Sequence, residues 1–435
     1  MKDYILPQGW RYIKLKQIAD VIAGVSFKPD DVTQKGIRIL RSGNIQNGYI
    51  EPKSDDVYLN DSYYNINNTV RYLDNCITSS TGSIEVLGKC GTIFEKMENT
   101  QIGAFLRIVR SRSKEDALYL SLILHTPYYY QYIRQFAKNG TSINNIKNEH
   151  LENFEFPFPA DIEKERISKL YYDIEKKIVL NTRMNAELEA MAKQLYDYWF
   201  VQFDFPDENG NPYKSSGGKM VYNPTLKREI PAGWEVSSLS SVIGKDKSGD
   251  WGQDIEKGCY KIKVNCIRGA DLKDSLNAPI RFINEKNVNR LLSEDDIIVE
   301  ISGGSPVQAT GRTLYVSKGL LDWYNKRLTC SNFCRPLVLS DNKDAPYFYY
   351  TWNLFYDNGI MFNFEGKTSG IKNLLLDMIL GTYWYFPPSN INNRFCDIIK
   401  KNLKLIDSNK TEIENLKSLR DSLLPMLMNG QVTVE

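Results

Sequence analysis

Few residues in this chain have types suited to catalysis, and their spacing fits no reaction. Gly366-Lys367-Thr368 resembles the end of a phosphate-binding loop, but Met361 stands where the first glycine of that loop belongs. Gly82 to Gly88-Lys89 has five intervening residues instead of four, and Cys90 follows where a hydroxyl is needed. A DNA amino-methyltransferase would carry Asn or Asp before Pro-Pro and an aromatic after it. Here Phe386 precedes Pro387-Pro388 and Ser389 follows. Asp271-Leu272-Lys273 and Glu365-Gly366-Lys367 fit the acidic-x-lysine fragment of metal-dependent nucleases, without a nearby upstream Pro-Asp. Two histidines, His125 and His150, leave little general acid–base chemistry at neutral pH. Cys330 and Cys334 lie close together, but with so few further ligands they do not make a zinc site. The chain is read as non-catalytic, with no metal and no cofactor of its own.

What remains is a polar inventory suited to nucleic acid. Arg41, Ser42 and Asn44 sit in one Gly-containing loop, and Arg268 begins a similar one. Ser80, Thr81 and Ser83 have counterparts in Ser302 and Ser305, and Lys138, Thr141 and Ser142 in Lys367, Thr368 and Ser369. Arg and Asn can make bidentate contacts to base edges, while hydroxyls and backbone N–H groups bind phosphates. Gly and Ser also build ordinary turns, so any single loop can be read either way. Tyr128-Tyr129-Tyr130 and Tyr347 to Tyr350 are assigned to packing rather than to base stacking. Lys plus Arg is 55 and Asp plus Glu is 53, a net charge of +2. That balance excludes a polycation or an acidic tail, yet a local basic face suffices for phosphate contacts.

The elements that must hold these loops are written twice. LPQGW at 6–10 recurs as IPAGW at 230–234, pairing Pro7 with Pro231, Gly9 with Gly233 and Trp10 with Trp234. Leu15 then matches Leu239, Gly82-Ser83 matches Gly304-Ser305, and Phe105 and Arg107 match Phe333 and Arg335. Ile146-Lys147 is paired with Ile371-Lys372, and Asn181, Leu188 and Leu195 with Asn409, Leu416 and Leu423. The order of anchors never breaks, so the chain is read as a tandem duplication. With 435 residues, 42% of them apolar, it has material for two or three domains.

Each half opens with short apolar runs bounded by Gly, Asn and Ser, the pattern of a mixed α/β (α+β) domain with many short strands. A helix is expected over 117–136 and another near 347–356. Each half then closes with a long helix. In the first, Ile167, Leu170, Ile174, Ile178, Met184, Leu188, Met191, Leu195 and Tyr198 recur at spacings of three, four and seven. In the second, Ile399, Leu403, Ile406, Ile413, Leu416, Leu423 and Leu427 do the same. Pairing of the two stripes is expected, with Ile174, Leu188, Leu195, Ile406, Leu416 and Leu423 in the seam. An approximate two-fold between the halves would make the helices antiparallel and put the globular parts at opposite ends of a rod of about 50 Å. That length exceeds one DNA turn of about 34–36 Å. The divisions expected are 1–160 and 230–388 for the globular domains, 161–203 and 389–435 for the helices, and 204–229 for a Gly/Pro/Ser-rich linker.

This plan resembles the specificity subunit of type I restriction–modification systems, most recognisably in LPQGW and IPAGW, AMAKQLYDYWFVQF, and DENGNPYKSSGGKM followed by LKREIPAGWEV. The resemblance implies two target recognition domains, each reading half of a bipartite site in double-stranded DNA, with the antiparallel helices as spacer. It implies docking of two methyltransferase subunits, with restriction subunits joining through them. S-adenosylmethionine, ATP and Mg are then expected in those partners. The resemblance assigns no base contact to any residue. No apolar run approaches the roughly 18 residues of a membrane helix, the N-terminus lacks a signal-peptide core, and seven scattered cysteines suit reduced thiols. A cytoplasmic location without membrane is therefore expected. A pseudo-symmetric protein scaffold that binds no DNA is the alternative, and a single-chain nuclease a distant third.

Overall fold

A computed structural model describes residues 6–53, 55–137, 144–273, 275–304, 308–368 and 371–428. Two compact units divide the chain, one made of residues 1–180 with 414–435 and the other of 181–413. Each division falls inside a long helix rather than in the Gly/Pro/Ser-rich stretch.

In the first unit, strand Arg11–Lys14 pairs with Glu155–Phe158. A six-stranded sheet runs in the order Ala19–Ala23, Leu106–Ser111, Asn75–Thr78, Cys90–Thr92, Tyr49–Ile50, Ile45–Gln46. A second sheet places Thr100–Ile102 parallel to Ile37–Leu40. The helix expected over 117–136 is two helices, Lys114–Leu124 and Pro127–Arg134. Proline has no N–H to continue the first helix, and at the first position of the second it is preorganised to start a new one. Tyr119 and Tyr129 are fully buried there, in one core with Leu120, Ile123, Phe154 and Phe156. Packing, not stacking on bases, is the use of Tyr129.

The second unit repeats the scheme. Glu235–Ser238 pairs with Tyr383–Phe386, and Ile297–Glu300 lies between Cys334–Leu339 and Thr313–Tyr315. Leu328–Cys330 runs parallel to Tyr260–Ile267. Helix Ala345–Asp357 buries Tyr347, Phe348 and Trp352. The stretch read as a linker is folded: Met220–Asn223 and Arg228–Pro231 form a hairpin, and Phe205 stacks on Tyr213 at 4.6 Å. Phe205, Ile230 and Trp234 belong to one aromatic core with Phe200, Tyr385 and Phe395. Polar composition concealed these anchors.

The long helices span Asp161–Tyr196 and Ser389–Met428. In the first unit Arg420 bonds to Glu175, and Leu424 and Leu427 share a core with Ile167 and Tyr171, so the segments are antiparallel. In the second unit Asn181 donates to Glu412 at 2.6 Å, Asn409 donates to Asn185 at 2.9 Å, and Trp199 meets Phe395, again antiparallel. Ile174 and Ile406 are buried, whereas Leu188, Leu195, Leu416 and Leu423 are half-buried. Met184, Met191 and Tyr198, placed in the stripe by their spacing, are exposed by 41%, 60% and 37%. Asn181, Asn185, Ala192 and Tyr196 occupy the buried face in their stead. No described helix is long and apolar enough to cross a membrane.

Candidate nucleic-acid interface

In the first unit the chain leaves strand Ile37–Leu40 in a tight turn that residue type dictates. Asn44 N–H donates to the Arg41 carbonyl at 2.9 Å, and the Asn44 side chain accepts from Arg41 N–H at 2.8 Å. Asn44 Nδ2 then donates to Glu51 O at 3.1 Å and Asp56 Oδ1 at 2.6 Å, and the residue is only 1% exposed. Its amide is used up in building the turn, so it cannot read a base edge, and Asn44 leaves the candidate set. Arg41 is exposed, with Nη2 on Asp55 O at 2.8 Å, and Ser42 is half-buried. Ser80 and Thr81 form a short strand paired with Asn144–Asn145. Ser83 is exposed and donates its N–H to Thr81 Oγ1 at 3.2 Å.

A single turn ties these two loops together. Leu106 N–H closes on Gly103 O at 2.9 Å, Gly103 N–H donates to Leu40 O at 2.9 Å, and Phe105 O accepts from Ser79 and Ser80 N–H at 2.8 and 3.2 Å. Arg41, Ser42, Ser80, Thr81 and Ser83 are therefore on adjoining loops. Lys138, Thr141 and Ser142 lie outside the described residues.

The second unit makes the same arrangement from other residues. Asp271 N–H donates to Arg268 O at 2.9 Å, and Asp271 accepts from Arg268 N–H at 2.9 Å. Here the cap carries a charge, so the Arg268 guanidinium folds onto it through two bonds of 2.8 Å. Those bonds raise the Arg268 pKa. Arg41 is instead held by Asp55 on another loop, through its carbonyl at 2.8 Å and its carboxylate at 3.7 Å. Ser331 N–H donates to Ile267 O at 2.8 Å, Cys334 N–H closes on Ser331 O at 2.9 Å, and Phe333 O accepts from Ile301 and Ser302 N–H at 2.8 and 3.2 Å. Ser302 Oγ donates to Asn373. Ser305 and Ser369 lie outside the described residues. Lys367 and Thr368 are in a strand paired with Ile371–Leu374, and only their backbone is described.

The pairing also corrects one anchor of the repeat. Asn145 lies opposite Ser80 and Asn373 opposite Ser302, and Ile146 and Leu374 donate to Ser79 O and Ile301 O. Ile146 thus corresponds to Leu374, not to Ile371. Sequence reading also missed two glycines: a Cβ on Gly24 or Gly249 would lie 2.1 Å from the carbonyl oxygen of Gly103 or Ser331. Both permit the close approach that seats the bridging turn. The Glu300–Arg312 pair, at 2.6 and 2.8 Å beneath the Arg268 turn, carried no signal because its partners meet only across a strand pair. Among the described residues no cluster of His, Cys, Asp or Glu could hold a metal ion.

Residues 7–190 match the family model for the type I restriction modification DNA specificity domain. A type I restriction enzyme specificity subunit of Methanocaldococcus jannaschii is 27% identical over 322 residues, covering 73% of this chain and 69% of that protein. The first half of the chain is thus similar to a type I DNA specificity domain, and most of the chain to a type I specificity subunit. The StySPI type I specificity subunit of Salmonella potsdam is 20% identical over 448 residues, covering 99% of this chain and 90% of its own. The crystal structure of a type I restriction–modification S subunit from M. genitalium matches at a TM-score of 0.50 and 15% identity. The match covers 98% of this chain and 97% of that one, so the two share a fold.

Proposed function

We propose that this specificity subunit reads a bipartite site in double-stranded DNA, one half with each unit, and performs no chemistry itself. Its long helices set the gap and dock two methyltransferase subunits, through which restriction subunits join. S-adenosylmethionine, ATP and Mg are bound by those partners. One observation carries the reading: the arginine turn, the serine loop and the turn that bridges them are built twice, with different side chains on the same backbone bonds. Like scaffolds with unlike side chains are what two half-site readers require. Exposed apolar residues on the helices support protein docking: Met184, Met191 and Tyr198 in the second unit, Leu419 and Met426 in the first. Seven free cysteines suit the reducing cytoplasm.

Reconstitution tests this reading. A methyltransferase partner mixed with the chain is expected to methylate one bipartite sequence, and without it to show no sequence preference. Site-specific methylation by the partner alone would refute the assignment.

A further inference from the structure

The bridging turns carry the same side chain at the same corner. Phe105 occupies the third position of the Gly103–Leu106 turn, and Phe333 the third position of Ser331–Cys334. Both rings face water, 65% and 57% exposed. Other aromatics repeated at matching places are used for packing: Tyr119 and Tyr347 are fully buried, Trp234 is buried, and Trp10 lies against the core of the first unit. An aromatic ring kept out of the core twice, on otherwise divergent domains, has a use at the surface.

The turns are also rigid. Each phenylalanine carbonyl accepts two N–H groups, and each turn is closed by its own backbone bond. In the first unit Arg107 adds a brace, with Nη1 donating to Ala104 O and Leu106 O at 2.8 Å each. A ring presented this way loses little conformational freedom on binding. Its neighbours are polar: Ser80 and Thr81, with Arg41 on the next loop, or Ser302, with Arg268 on the next loop. An apolar ring among hydroxyls and a guanidinium suits a nucleic acid better than an apolar protein groove. Hydroxyls and Arg hold phosphates, while the ring stacks on a base or wedges at a base step.

We infer that Phe105 and Phe333 are the apolar DNA contacts of the two units, each ring set against bases of its own half-site. The inference rests on the DNA-reading function proposed above. Both rings engage only when the whole site is present, which adds a contact that neither charge nor hydrogen bonding supplies.

The test uses the full chain assembled with its methyltransferase partner and fluorescence anisotropy on three duplexes. One carries the bipartite site identified by methylation mapping, and each of the others has one half scrambled. The unaltered complex must prefer the intact site; if it does not, the DNA-reading function itself falls. Given that preference, Phe105→Ala and Phe333→Ala are each expected to weaken binding to the intact site about tenfold. Each variant should shrink the penalty for scrambling one half only, a different half for each. Phe105→Trp and Phe333→Trp should retain most of the affinity, since stacking tolerates any aromatic. Alanine variants that bind all three duplexes as the unaltered complex does would overturn the inference. So would an equal loss on all three, or loss of methyltransferase assembly on a sizing column with the chain still folded, which would make the rings protein contacts.

Discussion

Burial in the first unit keeps the imidazole of His125 neutral. Loss of water, and next the charge of Arg420, bring its pKa down to about 3, and Nε2 shares a hydrogen bond of 2.9 Å with Thr92 Oγ1. In the unfolded chain a histidine titrates near 6.5. A base with a depressed folded pKa binds its proton more readily when unfolded, so stability is full above about 6.5 and falls as the pH drops toward 3. The slope is at most ~1.4 kcal/mol per pH unit. Urea melts are expected to show a lower midpoint at pH 5.5 than at 7.5, and His125→Gln to remove most of that difference; an equal difference in variant and parent would contradict a buried neutral ring. Beside it, Glu175 is held by Tyr49 and Arg420. Burial opposes the charge on Arg420, yet Glu175 and Asp421 keep its pKa above the ordinary value. None of this was legible in the sequence, where His125 is one of two histidines without a motif. Asn44 was misread for a related reason. Arg-Ser-Gly-Asn looks the same whether the amide faces solvent or caps its own turn, and Asp56, which receives that amide, arrives only with the fold.

At the scale of elements, the helix stripe was legible in period but not in phase. An α-helix drifts about 20° per heptad against a strict seven-residue repeat, so the row Met184, Met191, Tyr198 does not keep to the seam. A hydrophobic pattern also cannot place polar residues inside, and here two asparagines lie there. Asn185 accepts from Asn409, and such pairs fix register at a cost in stability. Asn185→Leu alone removes the partner of the half-buried Asn409 amide and is expected to lower stability by about 1 kcal/mol. Asn185→Leu with Asn409→Leu should melt higher than the unaltered chain, because two apolar side chains replace a buried amide and its half-buried partner. A double variant that melts below the unaltered chain would show that the amide pair is a net source of stability.

At the scale of the whole chain, duplication was legible because its anchors are rigid positions. Gly9 and Gly233 both adopt positive φ, 86° and 85°, and Trp10 and Trp234 follow them directly. The register slipped where buried Ile146 was set against Ile371, which is exposed, rather than against Leu374, which is buried as Ile146 is. The stretch 204–229 was read as a linker because Gly, Ser and Lys outnumber the few aromatics that pin it, Phe205 and Tyr213 among them. Which bases the protein reads was not legible at all, since no residue type or spacing in the sequence fixes a base. The most direct measurement follows from the duplication. Residues 235–386 are replaced by the matching segment of another family member, and the methylated sites in cells expressing the chimera with its methyltransferase are mapped. One half of the bipartite sequence is expected to change while the other half and the gap stay the same; a change in both halves, or in neither, would contradict two independent readers on one chain.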